Sequence, residues 1–223
     1  MYESHLQLMA RVAVRRPHVR DQGGYALSEL LVGSIVGLVT MGAVLGFNRF
    51  QLFALRNQSA QLEMQTIGRA VTDLFSHEVR RAGMDPTCVK TFEGVAEARY
   101  DQLRIKSDLN GNGTIDASGE DVTYSFQYWP YDIRRTAGDT TNTFADDNVY
   151  VYPWFEYFDG AGTQIGAYSS LTSTQRAQVR RVRLTLWMWT ESVDPQNYGW
   201  MSATFSSNVD LRNRWFVDST ACP

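Results

Sequence analysis

The sequence is poor in the residues that most often build catalytic centres. Its 223 residues include three histidines and two cysteines. Of His5, His18 and His77, only the last lies beyond the first 24 residues, and the stretch HEVRR that begins at His77 lacks the second histidine of a zinc-protease helix. A serine–histidine–aspartate site would have to use His77 alone. We therefore predict that the protein is not an enzyme.

Strong positive charge is also absent. The formal net charge is −3, which does not indicate a nucleic-acid partner. Arginines and tryptophans near the C-terminal end could line a DNA groove by neutralising phosphates and stacking on bases, or could form a solvated sheet face with packed rings. They are Arg176, Arg180, Arg181, Arg183, Arg212, Arg214, Trp187, Trp189, Trp200 and Trp215. The negative net charge favours the solvated face, so we do not expect DNA as a partner.

Lysine, arginine, aspartate and proline are all missing from the 23 residues between Tyr25 and Phe47. As a helix with a rise of ~1.5 Å per residue, this run would be about 35 Å long, enough to cross a hydrocarbon core of ~30 Å. It carries one carboxylate, Glu29, whose insertion into a membrane costs ~2.5–3.5 kcal/mol. Nothing nearby in the run can pair with Glu29, so its partner must come from elsewhere.

The residues before this run are basic. Arginines outnumber acidic residues there, with Arg11, Arg15, Arg16 and Arg20 against Glu3 and Asp21. This excess places the N-terminal end in the cytoplasm and the rest of the chain outside. The apolar region of a secretory signal has only ~7–15 residues. The simplest interpretation is therefore an uncleaved anchor, which leaves Glu29 unexplained.

The stretch GGYALSELLVG, residues 23–33, resembles the processing and assembly motif of type IV prepilins and of the pseudopilins of type II secretion. In that family a basic leader ends in glycine, and glutamate is the fifth residue after the cut. The resemblance implies that a prepilin peptidase cleaves between Gly24 and Tyr25 and methylates the new amine of Tyr25. It also implies that Glu29 pairs with this ammonium, within the chain or in a neighbouring subunit, and sets the register of docking into a filament.

One feature departs from the family. Many pilins have a proline in the latter half of this helix, whereas this chain has Gly33, Gly37, Gly42 and Gly46. Glycine lowers helix stability by about 1 kcal/mol relative to alanine, so partial melting is one interpretation. Close packing of helices in lipid is the other.

Apolar residues continue to recur at intervals of three and four beyond the run. This spacing predicts an amphipathic helix that continues to Arg81 and stops before Gly83. The apolar stripe consists of Ala60, Met64, Ile67, Val71 and Leu74. The end of this helix, residues 70–84, resembles that of the PilW-like minor pilins, as do residues 155–165, 171–191 and 209–214.

Alternation of apolar and polar residues replaces the helical pattern after Gly83. Four alternating stretches, residues 100–108, 121–129, 148–158 and 177–189, predict strands with no helix between them, which favours antiparallel pairing. In the last of these, one apolar face is expected to cover the long helix. Its members are Val182, Leu184, Leu186 and Met188.

These patterns predict an α+β fold in which a long N-terminal helix packs on an antiparallel sheet, the lollipop shape that the resemblance to type IV pilins implies. The predicted organisation has four parts. They are a cytoplasmic leader (1–24) removed by the peptidase, a transmembrane or filament-core helix (25–47), its amphipathic continuation (48–82) and a β-rich head outside the cytoplasm (83–223).

The loop at residues 107–121 has most of the spacing of a calcium-binding loop of EF-hand type. Its glycine, Gly113, is sixth from Asp108, but the twelfth position is Gly119 and Glu120 comes one place late. The expected oxygen ligands are Asp108, Asn110, Asn112, Thr114, Asp116 and Glu120. A polar hairpin loop without an ion is the alternative, because asparagine, glycine and aspartate are common turn residues.

Cys88 and Cys222 are the two cysteines of the chain. In an oxidising compartment such a pair usually forms a disulfide, which for a loop this long stabilises by up to ~5 kcal/mol on the chain-entropy model. Two free thiols are the alternative.

Together with these observations, the resemblance implies a PilW-like minor pilin that is cleaved, methylated and assembled with other pilins on an inner-membrane platform. Such a subunit would prime or join a pilus and support adhesion, motility or DNA uptake. A J-type pseudopilin of type II secretion is a close alternative. An uncleaved, single-span binding module that depends on calcium and a membrane-anchored hydrolase are alternatives from other classes.

Overall fold

The computed structural model describes residues 26–88, 92–145, 149–166, 168–191 and 199–214, without the side chains of Ala26 and Arg214. Over these residues the chain forms a long helix, nine strands, a short helix and a final 3-10 turn. The elements are α1 (Ala26–Arg81), β1 (Val95–Ala98), β2 (Gln102–Lys106), β3 (Asp121–Gln127), β4 (Asp132–Ala137), β5 (Thr140–Thr143), β6 (Tyr150–Phe158), β7 (Gln164–Ile165), α2 (Ser173–Gln178), β8 (Arg181–Glu191), β9 (Trp200–Asp210) and the turn Arg212–Arg214.

The predicted end of the long helix is confirmed at Arg81. Arg80 and Arg81 lie in its last turn, where their charge complements the helix dipole. Gly83 follows with φ 78°, a left-handed conformation that glycine adopts without steric cost. Its N–H donates to the carbonyl of Lys106 at 2.8 Å, so this glycine, two positions after the end of α1, links the end of the helix to β2.

The strands form two antiparallel sheets. One has the order β1-β2-β3-β4-β5, and the other has the order β7-β6-β8-β9. All four predicted strands are found, as β2, β3, β6 and β8. The expectation of no helix between them is wrong, because α2 precedes β8 and takes up Ala177 and Gln178, the first residues of the last predicted stretch. A capping box formed by Thr172 and Gln175 starts this short helix. A long helix followed by antiparallel sheets confirms the predicted α+β class.

Unit Leu52–Pro223 has its own core, which the second half of α1 shares with both sheets. Phe75 of α1 lies between the two sheets. The centroid of its ring is 5.5 Å from that of Tyr124 in β3 and 6.0 Å from that of Phe155 in β6. The predicted inner face of β8 is confirmed, because Val182, Leu184, Leu186 and Met188 are all fully buried.

The buried stripe of α1 differs in part from the predicted one. Met64 and Val71 are buried as expected, but Phe75 and Val79 are fully buried where Leu74 is only partly so. Beyond Val71 the buried position is therefore one residue later than predicted, and the residue found there, Phe75, fills the space between the two sheets. Gly68 lies on the same stripe, and a Cβ there would come 2.5 Å from the ring of Phe205.

Unit Met1–Gln51 contributes the first half of α1. Of the described helices, α1 is the one long and apolar enough to cross a membrane, by length and composition alone, with a mean hydropathy of 2.2 over its most apolar window.

Candidate functional site

Every described side chain of residues 27–51 is exposed. We call these residues the apolar segment. Its large hydrophobic side chains include Leu27, Leu30, Leu31, Val32, Ile35, Val36, Leu38, Val39, Met41, Val44, Leu45, Phe47 and Phe50. Burial of a side chain of this size is worth ~1.5–3 kcal/mol. These side chains therefore need an apolar environment that the described part of the chain does not provide.

Glu29 lies in the first turn of α1. Free N–H groups and the helix dipole favour a carboxylate there, although they do not replace a counterion in lipid. Gly24 and Tyr25, the residues of the predicted cut, lie outside the described residues. The cleavage, the methylation and the ion pair between Tyr25 and Glu29 stay predictions.

Two hydroxyl groups of the apolar segment bond back to the helix itself. Ser34 donates to the carbonyl of Leu31 at 2.8 Å, and Thr40 donates to the carbonyls of Val36 and Gly37 at 2.9 Å. These bonds would keep both hydroxyls satisfied in an environment without water. Glu29 is then the one charged side chain between residues 27 and 47.

The four glycines of the segment have open surroundings. A Cβ built at Gly33, Gly37, Gly42 or Gly46 meets nothing within 4 Å outside the local helix backbone. Packing within the described chain therefore does not require glycine at these positions. Their lack of a side chain leaves the helix surface accessible to the backbone of another helix.

The loop between β2 and β3 is folded around two buried carboxylates. Asp108 accepts N–H groups of Gly111, Asn112 and Gly113 at 2.7–3.2 Å. Glu120 is fully buried too, and each of its oxygens accepts two backbone N–H groups. Leu109 and Asn110 donate to Oε1, whereas Asp116 and Ala117 donate to Oε2, at 2.8–3.1 Å.

The pKa of Glu120 reflects these bonds. Burial by itself would raise it, but the four N–H donors outweigh burial and lower the pKa below its ordinary value. The carboxylate has about four lone-pair positions, and the backbone occupies them all. In this structure Glu120 therefore holds the loop together instead of offering a ligand oxygen.

The remaining predicted calcium ligands bond to one another. Asp116 accepts the side-chain amides of Asn110 and Asn112 and the hydroxyl of Thr114 at 2.9–3.2 Å, and these bonds lower its pKa. Over the described residues, no group of three acidic, histidine or cysteine side chains is placed to hold a metal ion. An ion at this loop would have to displace the asparagine amides from Asp116, and calcium binding stays a prediction.

Calcium binding predicts a thermal shift. Extracellular modules bind calcium with a Kd of ~0.1–1 mM, and an ion at a hundred times its Kd stabilises the folded state by about 2.7 kcal/mol. We expect calcium at this excess, but not magnesium, to raise the melting temperature of the full chain in detergent. Asp116→Asn should abolish the shift, and Asp139→Asn, an exposed acid in another turn, should preserve it. No shift for the wild type would exclude the ion.

Cys222, one of the two cysteines of the predicted disulfide, lies outside the described residues. Cys88 follows the turn after α1, with φ 60°, and is not a free thiol. The bridge from Cys88 to Cys222 stays a prediction.

One polar cluster was not predicted from the sequence. Glu78 of α1 accepts hydrogen bonds from Nε of Arg135, at 2.9 Å, and from Nη2 of the same guanidinium, and it also accepts the hydroxyl of Tyr124. Burial, followed by the charge of Glu78, raises the pKa of Tyr124 well above its ordinary value. A pocket of about 250 Å³ adjoins the pair. His77 is one of the residues that line this pocket, and Nε2 of His77 is 2.8 Å from the guanidinium of Arg81.

The predicted arginine and tryptophan cluster is divided by the structure. Arg176, Arg181 and Arg183 pair with Glu93, Asp210 and Glu156 at 2.7–3.3 Å. Trp215 lies outside the described residues. Trp187, Trp189 and Trp200 share the outer face of the second sheet.

No protein-family model and no curated protein matches the sequence. The structure is similar to a type IV-like pilin from Thermus thermophilus, with 13% identity and a TM-score of 0.46 over 70% of this chain and 96% of that chain. Similarity at this level assigns no function, so the function has to be inferred from the residues themselves.

Proposed function

We propose that this chain is a minor type IV pilin of the PilW-like kind. It enters the inner membrane with its basic leader in the cytoplasm and its sheets outside. A prepilin peptidase then removes residues 1–24 and methylates Tyr25. The mature helix packs with other pilins on the assembly platform, where the subunit primes or joins the filament.

The apolar segment, with one carboxylate at the position fifth from the predicted cut, is the observation that supports this proposal most. A helix of this kind is stable in lipid and, after extraction, only among other apolar helices. A filament core made of pilin helices provides that environment. An ordinary membrane anchor would explain the hydrophobic length but would leave Glu29 buried in lipid without a counterion.

Processing supplies the missing counterion. Cleavage before Tyr25 creates an ammonium group four residues from Glu29, and the same amine of a neighbouring subunit can reach the carboxylate when two helices lie side by side. In a low dielectric the ion pair offsets much of the desolvation cost of the carboxylate. Because the pair forms at one relative height of two helices, it also sets their register.

The open glycines support close contact between helices. Gly33 and Gly37 are one turn apart, as are Gly42 and Gly46, and each pair exposes backbone on one side of α1. Helices in membranes approach most closely at such small residues. They provide a surface for a neighbouring pilin at the depth where hydrogen bonding to water is absent.

Substitution of Glu29 tests the assembly function. Loss of one partner of a buried ion pair costs about 3–5 kcal/mol, so Glu29→Ala should be cleaved normally but reduced at least tenfold in the sheared filament fraction. Ser34→Ala, in the same segment, is the matched control and should assemble like wild type. The measurements are mass spectrometry of the N-terminus and quantitative immunoblotting of membrane and filament fractions.

Two results would contradict the proposal. One is normal incorporation of Glu29→Ala, and the other is retention of the first 24 residues in cells with an active peptidase. Co-purification with pilus or with secretion subunits distinguishes a minor pilin from a J-type pseudopilin.

A further inference from the structure

The outer face of the second sheet carries a continuous aromatic surface. It consists of Tyr150, Tyr152 and Trp154 on β6, Trp187 and Trp189 on β8, and Trp200 on β9, and we call it the aromatic face. Trp187 and Trp189 have ring centroids 4.9 Å apart, and Tyr150 lies 5.7 Å from Trp189 and 6.0 Å from Trp200. These distances are typical of directly packed rings.

Strand register places these rings together. Tyr150 is paired with Trp189 and Tyr152 with Trp187, so the four side chains project from the same side of the sheet. The alternate residues, such as Val151 and Met188, point inward and are fully buried. The six rings are not part of the buried core cluster, although Tyr152 packs on Phe126 at 4.7 Å and Trp189 packs on Tyr131 at 5.5 Å.

The outermost indoles remain largely accessible to solvent. Trp187 is 47% exposed and Trp200 is 62% exposed. Contiguous exposed apolar surface of this kind usually marks a place where another molecule binds.

Small polar side chains border the rings. Ser202 and Thr204 of β9 are paired with Trp189 and Trp187, and Ser206 follows on the same face. All three are exposed. Each hydroxyl can donate one hydrogen bond and accept two, so a row of such groups runs beside the indoles.

The two arginines on this face lie at the end away from the tryptophans, and each is paired with an acidic side chain. Arg183 lies 3.3 Å from Glu156, and Arg181 lies 2.7 Å from Asp210. Among the described outward residues of β6, β8 and β9, neither lysine nor a further arginine is left to bind phosphate, and the end near Trp200 carries Glu191. A nucleic acid requires cations along its backbone. The face therefore suits a neutral ligand.

We infer that the aromatic face binds a neutral polysaccharide. The C–H groups on one side of a sugar ring stack on the electron-rich face of an indole, and the hydroxyl groups at the ring edge bond to Ser202, Thr204 and Glu191. Sugars present apolar faces and polar edges side by side, as this surface does. The inference is independent of the proposed assembly function, because it concerns only the sheets.

Tryptophan fluorescence with defined oligosaccharides tests the inference. The full chain, in a phosphocholine detergent that lacks sugar headgroups, is titrated with cellohexaose, chitohexaose and maltohexaose. At least one should bind at millimolar concentration or below, with a Kd that is unchanged between about 50 and 200 mM salt. Failure of all three to bind, or tighter and salt-dependent binding of oligothymidylate, would overturn it.

Variants then locate the site. Trp187→Ala removes a stacking ring, and Thr204→Arg places a bulky charged group on an exposed position without touching the core. Each should weaken binding about tenfold. Tyr168→Ala removes an aromatic ring that is 88% exposed but outside the aromatic face, and should bind like wild type. Unchanged binding in both test variants would place the sugar elsewhere and contradict the inference.

Discussion

Glu120→Gln should lower the free energy of unfolding by about 3 kcal/mol or more. The substitution keeps the shape of the side chain but replaces one acceptor oxygen by an NH2 group. Two backbone N–H groups, of Leu109 and Asn110 or of Asp116 and Ala117, then lose their acceptor in a buried position. Each unsatisfied buried donor costs ~1–3 kcal/mol.

The effect should depend on pH with a defined sign. Because the pKa of Glu120 is lowered in the folded state, its stabilisation is present above the unfolded pKa of ~4.3 and is lost as pH falls through the folded value. The difference between wild type and Glu120→Gln should thus be constant above about pH 5 and shrink in acid. Glu191→Gln, on an exposed strand position, is the control and should change stability little. An equal, pH-independent loss in both variants would contradict the prediction.

Arg135→Met should destabilise the protein by about 3 kcal/mol. The side chains of Arg135 and Glu78 are only 15% and 13% exposed. Loss of the guanidinium leaves a carboxylate in the core with the hydroxyl of Tyr124 as its remaining partner. Breaking a buried pair in this way costs up to ~3–5 kcal/mol, because an uncompensated charge stays behind.

A surface pair provides the matched control. Arg104 bonds to Asp121 through two nitrogens at 2.6 and 2.8 Å, but its side chain is 44% exposed. Arg104→Met should therefore cost less than about 1 kcal/mol. Glu78→Leu combined with Arg135→Met should recover stability relative to Arg135→Met alone. Chemical denaturation measures the wild type and all three variants, and equal losses for Arg104→Met and Arg135→Met would refute the role of burial.

The long helix and the strands with strict alternation could be predicted because their signals are local. Intervals of three and four residues, followed by arginines and Gly83, determine where α1 ends. The sequence does not show which neighbours the helix meets. For this reason Leu74 was predicted in the buried stripe, whereas the two sheets leave the central space to Phe75.

Several strands were missed because their patterns are weak. In β5 every residue is exposed, and in β4 buried residues do not alternate regularly. In β9 apolar residues alternate mainly with serine and threonine. These small polar residues distinguish a solvent-exposed face less clearly than charged residues would, so the alternation is a weak signal. Each of these strands is held by pairing with a neighbour, which a single segment does not reveal.

The sequence by itself determined the apolar segment with its lone carboxylate, the helix that continues from it and the antiparallel character of the rest. These features follow from periodicity and composition within short stretches. Only the tertiary structure decided that Glu120 binds backbone N–H groups, that Glu78 meets Arg135 and that six aromatic rings form one face. Those contacts join residues that are far apart in the sequence; Glu78 and Arg135, for example, are separated by 57 positions. Strand register and helix packing bring such residues together, and no local pattern reveals them.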